Sequence, residues 1–256
     1  ITFINSDIIT DKNFENIFGT STSNGILLIA NSLLLGFILY YAFKYLMSHI
    51  TYQRVDSPFS FIIKIILFGI CMNFSFFIVQ LLLDLNSDIS LAIRSLGKNL
   101  FNSEISFSQL INTINTHISV DSSSLNIFSV DGLIKSTLSL SLLNLVFSYS
   151  FRYIMVKVFI LLSPFAFLSL CLENTSWFFK SWLKNLFSLL FIQIIVSLVL
   201  LILFSLDFSS SNLFNKFVYV GGIYSLIKAN SFVREFIGGV STNISQSVKS
   251  FAGFKK

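Results

Sequence analysis

The stretch LFSLLFIQIIVSLVLLILFSL, Leu186 to Leu206, decides the fold. It holds no charged side chain. A bilayer hydrocarbon core about 30 Å thick is crossed by roughly 20 apolar residues in a helix, so this segment reads as a membrane-spanning helix. ENTSWFFKSWLKN, with Trp177, Lys180, Trp182 and Lys184, precedes it as an interfacial anchor. Asp207 and a Ser-rich loop close it.

Similar runs lie upstream. NGILLIANSLLLGFILYYAFKYLM, Asn24 to Met47, ends in Tyr40, Tyr41, Lys44 and Tyr45. SFIIKIILFGICMNFSFFIVQLLL, Ser60 to Leu83, follows a short linker. STLSLSLLNLVFSYSFRYIMVKVFILLSPFAFLSLCL, Ser136 to Leu172, is long enough to reach about 55 Å as a helix. It reads either as two crossings joined by a basic turn at Arg152 and Lys157, or as one long helix, tilted or kinked near Pro164. A last, short run covers Phe217 to Ile227.

Composition agrees. Of 256 residues, 54% are hydrophobic and only 11% charged, against roughly 25% charged in soluble domains. Mean hydropathy is +0.80. The predicted class is all-α: a polytopic membrane bundle of about five transmembrane helices, with six as the alternative. Residues 1–23 form an extracytoplasmic N-terminal segment, and 24–84 hold the first two spans. Residues 85–132 form an outer loop or small helical subdomain, in which ISLAIRSLGKNLF and ISFSQLINTI suit short amphipathic helices. The remaining spans fall in 133–229, and 230–256 is an amphipathic tail. The chain opens on Ile1 rather than Met, so a preceding piece, such as a signal peptide, is expected.

Charge sets the orientation. Five spans put Lys44, Arg54, Lys64, Lys180, Lys184, Lys228, Arg234 and the tail lysines on one side. Most acids, among them Asp7, Asp84, Glu104, Asp131 and Asp207, fall on the other. Basic residues mark the cytoplasmic face, which predicts N-out and C-in. The net charge of +5 is thereby explained by topology and an anionic membrane surface. The 31 Phe, with frequent Ile, Asn and Lys, suggest AT-rich coding, as in a low-GC bacterium or an organelle genome.

Catalytic signatures are missing from the sequence. There is no GxxxxGK[ST] loop, no HExxH pair and no GxSxG elbow, and His49 and His117 stand alone. Cys71 and Cys171 sit inside apolar runs as small hydrophobes. No catalytic, cofactor-binding or metal-binding residue is predicted, and no cofactor.

Two features stand out. Arg152 and Lys157 lie deep in an apolar run, where a charge costs about 3 kcal/mol on insertion scales. Their spacing separates them by about 140° around a helix. They read as a snorkelling or turn pair near the inner surface, or as lining a lumen or an interface in an oligomer; Glu173 is the available partner. The second feature is YVGGIYSLIKANSFVREFIGGVSTNISQSVKSF, Tyr219 to Phe251. Gly221–Gly222 and Gly238–Gly239 permit close helix packing or a break. Phe232, Val233, Phe236 and Ile237 form an apolar stripe beside Lys228, Arg234 and Glu235. This stripe suits the inner leaflet or docking to a cytoplasmic partner.

LLSPFAFLSLCLENTSWFFKSWLKNLFSLLFIQIIVSLVLLILFSLD (161–207) and VYVGGIYSLIKANSFVREFIGGVSTNI (218–244) resemble the TrbL-type polytopic membrane subunits of conjugal-transfer, or type IV secretion, systems, closest to those of low-GC Gram-positive bacteria. The likeness covers roughly residues 150–245; the first half matches in layout alone. It implies a plasma-membrane subunit without enzymatic activity, oligomerising into a platform. Its implied partners are other secretion subunits, including transfer ATPases inside and pilus-like components outside. The transferred DNA–protein substrate would make transient contact. No small-molecule substrate is expected. Arg94, Lys98, Arg152 and Lys157 are too thin a set to predict a dedicated DNA-binding surface. The long hydrophilic C-terminal extension of many relatives is not present in this sequence. A small-solute transporter, or an organelle-encoded subunit of a respiratory or assembly complex, are the competing readings.

Overall fold

The computed structural model describes residues 11–19, 24–51, 57–102, 106, 108–109, 112, 130–205 and 213–237. Among the described residues the chain is helical between caps and turns, with no strand. The helices are α1 (Lys12–Phe18), α2 (Ile26–Thr51), α3 (Pro58–Asn73), α4 (Ser75–Phe101), α5 (Val130–Leu161), α6 (Ser163–Leu168), α7 (Ser176–Ser205) and α8 (Leu213–Ile237). Two 3₁₀ turns, Ser169–Cys171 and Glu173–Thr175, link α6 to α7. Among the described residues, four segments are long and apolar enough to cross a bilayer: Ile26–Ile50, Ser75–Phe101, Ser139–Leu161 and Glu173–Ser205. Helix α3 and the apolar Val220–Ala229 part of α8 are shorter. The protein is an all-α bundle of apolar helices, a membrane protein.

The chain divides into two compact units. One holds residues 5–84 and 155–186; the other holds 1–4, 85–154 and 187–256.

In the first unit, local chemistry places the helix ends. Asp11 caps α1, its carboxylate accepting from the Asn13 N–H at 3.2 Å. Gly19 ends α1 at φ +82°, a conformation that a side chain would strain. Gly25 approaches it so closely that a Cβ on either residue would strike the other's backbone neighbourhood. Ser57 caps α3, with Pro58 in the first turn where a missing N–H costs nothing.

The predicted run Ser60–Leu83 is not one straight helix. It is divided at Phe74, between α3 and α4. The Asn73 amide, next to the break, donates to the Gly69 carbonyl at 2.9 Å, one turn back. The same amide exchanges two hydrogen bonds with Asn31 on α2, at 3.2 and 3.3 Å. Beyond the bend, α4 passes through Leu83, Asp84 and Leu85 without interruption to Phe101, so ISLAIRSLGKNLF continues a long helix. Most of ISFSQLINTI lies outside the described residues.

Helix α6 is the centre of this unit, with Ser163, Pro164, Ala166, Phe167 and Leu168 all buried. Pro164 has no N–H for the Ile160 carbonyl. The Ser163 hydroxyl donates to that carbonyl instead, at 2.7 Å. The Trp182 indole donates to the neighbouring Phe159 carbonyl at 2.8 Å. Phe167, Phe179 and Trp182 pack ring against ring, 5.3 to 5.8 Å between centroids.

In the second unit, Leu145 of α5, Ile192, Val196, Leu200 and Leu203 of α7, and Ile223, Leu226, Ile227 and Val233 of α8 form one apolar core. Of the four candidate spans α7 is the most enclosed: 56% of its apolar window is buried, against 17% for α2. Helices α2 and α3 turn Leu35, Leu39, Phe43, Ile62, Ile66 and Ile70 outward. Outward apolar faces of this kind suit a lipid solvent.

Candidate functional site, a buried arginine between two apolar helices

Helix α5 carries Arg152 without a turn: Val130–Leu161 is one continuous helix. Of the two alternatives for residues 136–172, the helix takes the long form up to Leu161, and the break comes at Leu162–Pro164. Arg152 is only 4% exposed. Its Nε donates to the Leu189 carbonyl at 2.9 Å, and its Nη2 donates to Gln193 Oε1 at 3.3 Å. Both acceptors lie on α7. The Tyr149 ring sits one turn back on α5, its centroid 5.8 Å from the guanidinium carbon, within cation–π range.

A guanidinium offers five N–H donors. Two are used by these acceptors, and none of the others meets a carboxylate among the described residues. The surroundings are polar but neutral. Ser148 is buried on α5. Ser197, fully buried on α7, donates to the Gln193 carbonyl at 3.0 Å. The buried hydroxyl of Tyr149 has no hydrogen-bond partner among the described residues. Arg152 thus ties α5 to α7 through one backbone and one side-chain acceptor. Such a cation can hold two helices together, and it can hold a negative charge if one reaches it.

The other predicted residues fall elsewhere. Lys157 is half-buried, with its ammonium 5.3 Å from the Phe14 ring centroid. It does not share the environment of Arg152, as the 140° separation requires. Glu173, expected beside this pair, bonds to Lys64 instead at 3.2 Å. Lys64 lies on α3, and the Pro164 break carries Glu173 away from the α5 helix axis into a 3₁₀ turn.

Gly221 and Gly222 do not break α8, which runs through both. Gly221 faces open space, whereas a Cβ on Gly222 would collide with the Leu203 Cδ2 methyl. Lys228 is exposed, its ammonium 5.5 Å from the Tyr224 ring centroid. Glu235 is exposed, and Arg234 lies on α8. Gly238 and Gly239 lie outside the described residues. No group of His, Cys, Asp and Glu among the described residues is arranged to hold a metal ion.

Gln193 was the residue most open to discovery from sequence, as the sole amide in the run Leu186–Leu206. The reciprocal Asn31–Asn73 pair carried the same signal, a carboxamide inside each of two apolar runs. Compared with protein-family models, curated proteins and solved structures, the chain matches none.

Proposed function

We propose that this chain is a non-enzymatic integral membrane subunit of a type IV secretion machine for conjugative DNA transfer, working as an oligomeric platform in the plasma membrane of a low-GC, Gram-positive bacterium. The observation that carries the reading is the resemblance of residues 161–207 and 218–244 to TrbL-type subunits. Two physical features support it. The resembling segment contains α7, the most enclosed of the four candidate spans. Helices α2 and α3 leave broad apolar faces uncovered, available to lipid and to further subunits.

The proposed arrangement has five crossings, N-out and C-in. The kinked α3–α4 pair supplies one, and α2, α5, α7 and α8 supply the others. The exposed Lys228 and Glu235 then face the cytoplasm, where transfer ATPases would dock. Arg152 acts inside the subunit as a strut between α5 and α7.

Deletion of the gene tests the reading. Conjugation is lost while solute uptake is unchanged, and the detergent-extracted particle contains several copies of this chain together with other transfer proteins. Normal mating frequency in the deletion strain refutes it, and altered uptake with normal mating gives the transporter reading instead.

A further inference from the structure

The end of α2 that carries Tyr40, Tyr41 and Lys44 borders a cavity of about 470 Å³ in the first unit. Its other wall is the turn Glu173–Thr175. The cavity has mixed chemistry: tyrosine rings, a lysine, a carboxylate, and the polar groups of Asn174 and Thr175. Two apolar grooves adjoin it. One, about 400 Å³, runs between α2 and α3 past Ile38, Ile62 and Ile66, and shares Tyr41 and Phe61 with the cavity. The other, about 270 Å³, passes Leu33, Leu168 and Trp177, and shares Phe37 and Thr175 with it. The two grooves share no residue with each other. The shape is one polar chamber with two separate apolar arms.

The charges select among ligands. Glu173 is already neutralised by Lys64 at 3.2 Å. Lys44 lies in the chamber wall, exposed, and no acid among the described residues pairs with it. Among the described residues, Lys44 is therefore the charged group of the chamber wall without a partner of opposite sign. It stands beside Tyr40, Tyr41 and Tyr45, in the aromatic setting typical of the membrane–water interface. A single phosphodiester with two hydrocarbon chains matches both the charge and the shape.

We propose that this chamber is a binding site for one anionic two-chain glycerophospholipid, with its phosphate against Lys44 and one acyl chain in each groove. The headgroup hydroxyls of a phosphatidylglycerol would meet Asn174 and the Glu173 carboxylate. The site requires only that the protein lies in a bilayer, and it stands independently of the secretion reading.

Trp177 lines one groove and reports on its occupant. The full chain is reconstituted in phosphatidylcholine vesicles containing a small fraction of lipid brominated on both chains. The Trp177 signal is taken as the difference between wild type and Trp177→Phe. Brominated phosphatidylglycerol quenches it at lower mole fraction than brominated phosphatidylcholine. Lys44→Gln weakens that preference about fivefold, the contribution expected of one lysine at an anionic headgroup, and Lys44→Arg retains it. Lys180→Gln, an exposed lysine outside the chamber, leaves it intact. Equal quenching by the two lipids overturns the proposal, because the grooves are then merely solvated by bulk lipid. So does a preference that survives Lys44→Gln, or one lost equally in Lys180→Gln.

Discussion

The indole N–H of Trp182 on α7 donates to the Phe159 carbonyl on α5, 2.8 Å away, where the break before Pro164 disturbs the helix ladder. Trp182 is buried, so no water is at hand to replace that bond. In lipid, a backbone carbonyl left out of the helix ladder at such a break must find its donor within the protein.

Trp182→Phe keeps an aromatic ring against Phe167 and Phe179 but removes the donor. The expected cost is about 1–3 kcal/mol, the penalty for a buried acceptor left unsatisfied. Thermal unfolding of the detergent-solubilised protein measures it. Phe179→Leu, which loosens ring packing without touching the bond, serves as the comparison. Equal stability of Trp182→Phe and wild type would show that the carbonyl is satisfied by another route.

Arg152 and Gln193 give a second prediction. Removing one partner of a buried charged hydrogen bond leaves the other stranded, while replacing both by apolar groups is far milder. Gln193→Leu alone therefore destabilises the bundle by about 1.5–3 kcal/mol, the range for a hydrogen bond to a charged group. Arg152→Met with Gln193→Leu recovers most of that loss. A double-mutant cycle read by denaturant or thermal unfolding reports the coupling. Additive single effects would mean that the 3.3 Å contact contributes nothing specific.

How much of this was legible beforehand differs by element. Ile26–Met47 and Leu186–Ser205 are predominantly apolar, and both are helical because lipid leaves the backbone no other partner. Ser60–Leu83 looked equally uniform, yet it bends at Phe74. Asn73, next to the break, pairs with Asn31, 42 positions away, and local periodicity carries no record of such a contact. Arg152 was visible as a charge out of place. Its acceptors were not, since one is a backbone carbonyl and the other a single glutamine in a run of leucine and isoleucine. Glu173 was the nearest acid in sequence and proved to belong to Lys64. The lipid chamber was invisible altogether, because it joins α2 to a turn more than a hundred residues later.

The Asn31–Asn73 pair predicts modest coupling. Interhelical side-chain hydrogen bonds inside membranes contribute about 0.6 kcal/mol on average and about 1.7 at most. Asn73→Leu costs that amount and also removes the bond to Gly69, so α3 and α4 straighten. Spin labels at Ile66 and Leu81, both exposed, read the change as a longer distance. An unchanged distance would assign the bend to some other cause.

Cys171 is buried, and burial pushes its thiol up to about 11. The fold therefore favours the neutral thiol, which reacts slowly with maleimides, since the thiolate is the nucleophile. In a Cys71→Ala background, labelling at pH 8 is slow for the folded protein and fast in denaturant. The sign of the linkage follows. A raised thiol value means that stability falls as pH climbs above the ordinary thiol range, until the folded value is reached. Rapid labelling of the folded protein at pH 8 would place Cys171 at the surface.

Gly221 and Gly222 are adjacent but not equivalent. Helix α8 turns Gly221 toward open space, while Gly222 lies against Leu203 of α7. Glycine is the poorest helix former after proline, so alanine at an open helical site gains up to about 1 kcal/mol. Gly221→Ala is accordingly neutral or stabilising. Gly222→Ala sets its new methyl against the end of the Leu203 side chain, which can move aside, so the same gain is offset. Gly222→Leu has no such escape and forces α8 away from α7, with a cost of about 1–3 kcal/mol. Gly221→Leu does not. Unfolding midpoints of the four variants give the order directly. Should the two leucine variants match, α8 does not pack against α7 through Gly222. If Leu203→Ala restores Gly222→Leu but leaves Gly221→Leu unchanged, the contact between these two residues is what sets the distance between the helices.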